Sequence, residues 1–155
     1  MTTLVTRARL LSTVLRTGDT PRIARLMTRF TTLEWTGIIP ALTGLDRRKL
    51  AAVLLEYAEA PTGLEHFDAR SIALLLQSAN AGDQTAMLWR LLTAHERFRG
   101  EALLAIDEHQ RRDLIDAQPP VLRKRLIACL PVSQRSRWDK DAFGAAFRLH
   151  RLFAS

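Results

Sequence analysis

Residues 20–34, TPRIARLMTRFTTLE, decide the fold class of this chain. Thr20 and Pro21 are typical of a helix start, because a threonine side chain can cap the first turn and proline fits the first helical position. Apolar residues then recur three or four positions apart, as on one face of an α-helix. They are Ile23, Met27 and Phe30. The stretch therefore predicts an amphipathic helix that packs through one side.

The opposite side of this helix is strongly basic. It carries a stripe of three arginines, Arg22, Arg25 and Arg29. Just after it, Thr31 and Glu34 have the spacing of a capping box, in which each side chain bonds to the backbone of the other residue. The next helix is therefore expected to begin there. It should bend or end at Pro40, since proline cannot continue the hydrogen-bond ladder.

The same helical period extends through most of the chain in both directions. We expect Gly18 to end the first helix, Asp46, Asp68 and Asp83 to cap later ones, and Gly100 to close the helix that carries His95 on its apolar side. No run alternates with period two for long enough to predict a strand. We therefore predict one all-α domain over residues 1–155. Its short helices, about eight, should form stacked hairpins, in a right-handed superhelix or an irregular bundle.

Composition agrees with a globular domain and places charge at its ends. The 155 residues are 47% hydrophobic and 25% charged, as in average soluble proteins. Residues 1–30 carry six arginines and one aspartate, and residues 123–155 carry eight basic and two acidic residues. Residues 31–122 carry nine basic and thirteen acidic residues, and the net charge is +7. Two basic ends flanking an acidic middle can attract anionic partners or favour self-association.

An internal similarity relates residues 45–51, LDRRKLA, to residues 67–73, FDARSIA. Both consist of an apolar residue, an aspartate and the start of an amphipathic helix, so the aspartates are expected to be N-caps in both copies. As a true repeat, each copy would be one unit of a stack in which neighbours bury each other's apolar faces.

The spacing of prolines, leucines and arginines near the end of the chain indicates a family resemblance. The relevant residues are Pro119, Pro120, Leu122, Arg123, Leu126, Leu130, Pro131, Arg135 and Trp138. This pattern resembles the short helical repeats in the N-terminal domain of magnesium transporters of the MgtE type and in the middle domain of the flagellar switch protein FliG. The resemblance implies a right-handed superhelix that serves protein interaction or regulation. Acidic residues usually follow the prolines in those repeats, and Val121 and Val132 replace them here, so the resemblance does not extend to metal sensing.

Catalytic patterns are missing from the sequence, which has neither a glycine-rich phosphate loop nor a nucleophile elbow. The best local constellation is His109 and Asp113, which lie four positions apart and could face one metal ion. Arg111 and Arg112 lie in the same turn and would repel a cation. We interpret the group as an exposed helix surface that begins at the cap Asp107. We expect no enzyme activity, no metal site and no cofactor.

Cys129 is the only cysteine, which excludes an internal disulfide and a thiolate zinc site. It stands in an apolar run, where a cysteine usually behaves as a small buried hydrophobe. No apolar stretch approaches the ~20 residues that cross a bilayer. Arg7 and Arg9 would interrupt the apolar core of a secretory signal. We therefore expect a cytoplasmic protein.

The candidate binding residues lie at the two basic ends. In addition to the arginine stripe they are Arg123, Arg125, Arg135, Arg137, Trp138, Phe143, Phe147 and Phe153. Arginine and tryptophan are frequent interface anchors, and the phenylalanines give the terminal segment an apolar side suited to a groove on another protein or on a second copy. We predict a non-enzymatic protein-interaction or assembly module. The alternative is an accessory protein that binds nucleic acid through arginine–phosphate contacts.

Overall fold

The computed structural model describes residues 4–56, 64–136 and 138. These residues form nine α-helices, a short 3-10 helix and the helical segment 132–136, and none of them lies in a β-strand. The α-helices are α1 (Leu4–Thr17), α2 (Thr20–Arg29), α3 (Thr32–Ala41), α4 (Gly44–Glu56), α5 (Ala69–Ser78), α6 (Ala81–Leu91), α7 (Glu96–Leu104), α8 (Glu108–Asp116) and α9 (Pro120–Ala128). The 3-10 helix is Leu64–His66. The predicted all-α fold of short helices is confirmed.

The helices pack in two rows. In the first row α1, α3, α5 and α7 follow one another, each in contact with the next, and in the second row α2, α4, α6 and α9 do the same. Helices that are adjacent in the chain, such as α1 with α2 and α5 with α6, join the two rows. The apolar faces of successive helical pairs are thus buried against each other. None of the helices in the described ranges is both long and apolar enough to span a bilayer.

An aromatic cluster fixes the centre of the first half. Trp35 is fully buried, and its ring centroid lies 5.0 Å from that of Phe30 and 4.9 Å from that of Phe67. His66 Nε2 lies 2.7 Å from the carbonyl oxygen of Phe30, and the Thr32 hydroxyl donates a hydrogen bond to the carbonyl of His66. These contacts tie the 3-10 helix to the turn between α2 and α3.

Several predicted boundaries agree with the structure. Gly18 ends α1 with a φ of 70°, in the left-handed region that glycine adopts without strain. Thr31 and Glu34 form the complete capping box of α3. Pro40 lies one residue before the end of that helix.

Two predicted N-caps, Asp46 and Asp83, lie inside their helices instead. Thr43 precedes α4, and its hydroxyl accepts a hydrogen bond from the backbone N–H of Asp46. Asn80 precedes α6, and its side chain accepts in the same way from Asp83. A carboxylate in the first turn is also stabilised by the positive end of the helix. Because either position suits an aspartate, the sequence pattern placed both caps three residues too late.

The start of α2 also differs from the prediction. Asp19 rather than Thr20 caps the helix, and its carboxylate accepts a hydrogen bond from the backbone N–H of Arg22. Both residues have short oxygen-bearing side chains, so the pattern before Pro21 fits either one.

The two aspartates of the internal similarity do not have the same position. Asp68 precedes α5 as predicted, although its carboxylate accepts a hydrogen bond from the Ser71 hydroxyl rather than from a backbone N–H. Asp46 lies within the first turn of α4 and is 3% exposed. The predicted pairing of these segments as equivalent helix starts is therefore wrong.

A different repeat is present in the second half of the described chain. α7, α8 and α9 each contain nine residues and begin twelve residues apart. Each is followed by a residue in the right-handed helical conformation, namely Ala105, Ala117 and Cys129. The helical segment 132–136 continues the same spacing.

The prediction of one helix that runs through His95 and closes at Gly100 is wrong, because α6 and α7 are separate helices. α6 ends at Leu91, and His95 is exposed before α7, where its ring accepts a hydrogen bond from the backbone N–H of Arg97. Gly100 lies inside α7, and a Cβ added there would be 3.3 Å from the carbonyl oxygen of Cys129. Glycine therefore allows a close approach between α7 and the end of α9.

Candidate partner-binding surfaces

The arginine stripe of α2 borders a cleft between α1 and α2. We call it the arginine cleft. It has a volume of about 310 Å³ and is lined by Leu10, Val14, Arg22, Arg25, Leu26 and Arg29. All three arginines of the predicted stripe therefore lie at one surface.

The apolar face of α2 determines where these arginines lie. Ile23 and Met27 are buried in the core, so the helical period leaves the arginines on the outer side. The left-handed Gly18 lets the chain turn between α1 and α2, and Asp19 caps α2 directly after that turn. The two helices then pack together with the cleft between them.

The floor of the arginine cleft is apolar. Val14 is buried, whereas Leu10 keeps 49% of its surface exposed. Leu26 of α2 is half-buried and packs against the core. The helical period places Leu26 beside the apolar face of α2, but it does not distinguish Leu10 or Val14. An exposed leucine on α1 gains significance only from the position of α2.

The arginines of the cleft have no ion-pair partner among the residues that the structure describes. All three side chains are exposed. Arg25 Nε has only a 3.4 Å contact with the carbonyl oxygen of Pro21. In contrast, Arg7 of α1 pairs with Glu34. The cleft therefore combines an apolar floor with three available guanidinium groups.

The second basic group lies on α9. Lys124 and Arg125 are exposed, and Arg123 is half-buried. The guanidinium carbon of Arg125 lies 5.9 Å from the ring centroid of Trp89 on α6, which is a cation–π distance. Val121, one turn earlier on α9, is 63% exposed. This surface is basic like the arginine cleft, but one of its three cations is already in contact with an aromatic ring.

Two further candidates, Arg135 and Trp138, make contacts within the chain. Arg135 Nε donates a 2.7 Å hydrogen bond to the carbonyl of Leu130. Trp138 Nε1 donates a 3.0 Å hydrogen bond to Asp116, and the guanidinium carbon of Arg112 lies 5.9 Å from its ring. Both side chains therefore hold the helices of the second half together. The candidates Arg137, Phe143, Phe147 and Phe153 lie outside the described residues.

The pair of His109 and Asp113 is close but open to solvent. His109 Nε2 lies 3.6 Å from Asp113 Oδ2, and the two side chains are 85% and 71% exposed. Within the described ranges, no group of three His, Cys, Asp or Glu side chains is placed to hold a metal ion. An exposed ion pair of this kind, present when the histidine is protonated, contributes little to stability.

Cys129 is half-buried, and its Sγ lies 3.3 Å from the carbonyl oxygen of Arg125. Burial raises the pKa of its thiol, while the neighbouring Arg99 acts in the opposite direction. A raised pKa leaves less of the nucleophilic thiolate at neutral pH. The residue is thus suited to packing rather than to chemistry.

A second cleft, of about 330 Å³, lies between α5, α6 and α8. Its lining consists of Gln77, Gln84, Ile106, Gln110, Asp113, Leu114 and Ala117. Gln77 Nε2 donates a 2.6 Å hydrogen bond to Gln110 Oε1, and Gln84 Nε2 donates to the carbonyl of Leu76. The amides of this cleft are thus partly used within the fold. Nothing in the sequence pattern pointed to it, because glutamines on three separate helices have no common spacing.

The chain matches no protein-family model, and no curated protein or solved structure shows significant similarity to it. The geometry and charge of its surfaces therefore provide the basis for a functional assignment. Among these surfaces, the arginine cleft combines a concave shape with charge that no ion pair within the described ranges compensates.

Proposed function

We propose that this protein is a non-enzymatic interaction or assembly module that binds an acidic segment of another protein in the arginine cleft. One observation carries the proposal: three exposed arginines lie beside an apolar floor in a single cleft. Complementary charge attracts and orients a partner, whereas apolar contact excludes water and contributes to affinity. An acidic protein segment can supply both kinds of contact.

Nucleic-acid binding is the second candidate. It is favoured by the exposed basic residues on both α2 and α9, which could contact phosphates. Phosphate contacts, however, give no role to the exposed surface of Leu10 in the cleft floor. An acidic protein segment accounts for both the charge and the apolar floor, so we favour it.

Affinity capture from native lysate, with and without nuclease, tests the proposal. Three baits are compared. They are the wild-type chain, the α2 variant R22Q/R25Q/R29Q, and the α9 variant R123Q/K124Q/R125Q. The two variants lose the same number of charges from opposite basic groups, so each is the matched control of the other. Bound proteins are identified by mass spectrometry, and light scattering of each bait alone measures binding to a second copy.

We expect a discrete acidic protein that survives nuclease, is lost with the α2 variant and is retained by the α9 variant. Material that disappears after nuclease treatment would replace this proposal by the nucleic-acid alternative. A partner captured equally by all three baits would show that the arginine cleft is not the binding site. A concentration-dependent dimer lost only in the α2 variant would identify a second copy as the partner.

A further inference from the structure

The three arginines of the cleft form a regular row. They occupy positions i, i+3 and i+7 of α2, which places them on one side of the helix over two turns. At a rise of about 1.5 Å per residue, the row is about 10 Å long. A ligand that uses all three cations must therefore present negative charge along a similar length.

An apolar row accompanies the arginines. Leu10 and Val14 lie one turn apart on α1 and line the same cleft, and Leu26 of α2 completes the floor. Because Leu10 is about half exposed, this floor still has apolar surface that a ligand can cover. A ligand that contacts both the arginines and the apolar floor must therefore present an acidic row and an apolar row on the same side.

The ligand classes differ in their ability to do this. An α-helix places residues at i, i+3, i+4 and i+7 on one side, so an acidic row and an apolar row can lie next to each other. An extended chain turns successive side chains to opposite faces, so alternating acidic and apolar residues cannot both face the cleft. A nucleic-acid backbone brings phosphates but no apolar row.

We propose that the ligand of the arginine cleft is an amphipathic α-helix of the partner, with carboxylates in one row and leucine-like side chains in the adjacent row. The inference rests on the proposed function and specifies the chemistry of the partner. Helix-in-groove binding of this type reads anchors at helical spacing. The arginines determine the register of the helix, and the apolar floor contributes the specificity for an amphipathic rather than a merely acidic segment.

Three synthetic peptides of about 16 residues distinguish the contributions. The amphipathic peptide has glutamates at i, i+3 and i+7 and leucines at i+1, i+4 and i+8. The scrambled peptide has the same composition without segregated rows, and the acidic peptide replaces the leucines with glutamines. A single-stranded oligonucleotide of similar charge serves as the fourth probe. Fluorescence anisotropy gives the Kd of each for the wild-type chain.

We expect the amphipathic peptide to bind at least about tenfold more tightly than the scrambled and acidic peptides. A tenfold difference in Kd corresponds to about 1.4 kcal/mol, and the burial of leucine side chains contributes more than this. Its circular dichroism should show increased helicity on binding. Equal Kd values for all three peptides would overturn the helical ligand while leaving an acidic partner in place. Tighter binding of the oligonucleotide than of any peptide would overturn the proposed function itself.

Variants of exposed leucines provide the matched control. Leu10→Ser should weaken binding of the amphipathic peptide about fivefold and leave the acidic peptide unchanged, because only the former covers the floor. Leu33→Ser changes a leucine that is 82% exposed on α3, outside the cleft lining, and should leave both Kd values unchanged. Similar losses in both variants, or no loss in either, would contradict the role of the floor. The circular dichroism and urea midpoint of each variant confirm that it is folded.

Discussion

Arginine side chains have different environments in α2 and near the starts of several later helices. In α2, the three arginines of the cleft are exposed and have no ion-pair partner within the described ranges. In the second half, several arginines turn inward and donate hydrogen bonds to backbone carbonyls near the preceding helix end. They are Arg99, Arg111 and Arg135. One residue type thus forms an exposed basic row in one region and holds the backbone in the other.

The position of each arginine relative to its helix start explains the difference. Arg111 lies four residues after the N-terminal flanking residue Asp107 and reaches carbonyls at the end of the helix before it. Arg47 of α4 and Gln84 of α6 occupy the same position and donate in the same way. Such carbonyls lack partners within their own helix, so a side-chain donor there is stabilising. In α2 this position is held by the buried Ile23, and the arginines fall on the outer side.

The largest effect is expected when an inward arginine is removed. Arg111 is 4% exposed and donates to the carbonyls of Leu103 and Ile106 and to Gln134 Oε1. Arg111→Ala removes these hydrogen bonds, leaves the carbonyl of Ile106 without its guanidinium donor and creates a cavity, so we expect the free energy of unfolding to fall by about 3 kcal/mol in urea titrations. The matched control Arg25→Ala changes an exposed side chain and should alter stability by less than about 0.5 kcal/mol. Equal losses of stability in the two variants would contradict the view that Arg111 holds the backbone whereas Arg25 does not.

Smaller changes in stability are expected from two glycine substitutions, which test how closely α7 packs against the end of α9. Gly82 is in the first turn of α6, where an added Cβ has its nearest neighbour, Asn80 Oδ1, at 3.7 Å. Gly82→Ala should therefore stabilise the protein by about 0.5 kcal/mol through higher helix propensity. Gly100→Ala should raise the stability by less than this, or lower it, because the added Cβ would be 3.3 Å from the backbone oxygen of Cys129. Thermal unfolding of both variants measures the difference, and equal gains would show that this contact is not restrictive.

The sequence pattern predicts the fold class and the arginine row because both depend on helical periodicity. Ile23 and Met27 indicate the buried side of α2, and the arginines then follow on the opposite side. The capping box at Thr31 and Glu34 is equally local, since both hydrogen bonds lie within one turn. Helix starts near Asp46 were less well predicted, because a short polar side chain can act as a cap or lie in the first turn.

Contacts between separate helices could not be predicted in this way. The role of Leu10 depends on where α2 packs, and the inward contacts of Arg111 depend on the end of the preceding helix. Arg135 was predicted to bind a partner because its basic charge is visible in the sequence, whereas its hydrogen bond to Leu130 is not. The family resemblance of the C-terminal pattern stays a prediction.

The central claim is that binding depends on the arginine cleft and not on basic charge in general. The most direct test is the Kd of the amphipathic acidic peptide for the wild type, the α2 variant and the α9 variant at about 0.15 M salt, where distant charges are screened. We predict that the α2 variant binds at least about tenfold more weakly and that the α9 variant changes less than about twofold. Equal weakening in both variants would contradict the claim, because it would show that net charge alone attracts the peptide.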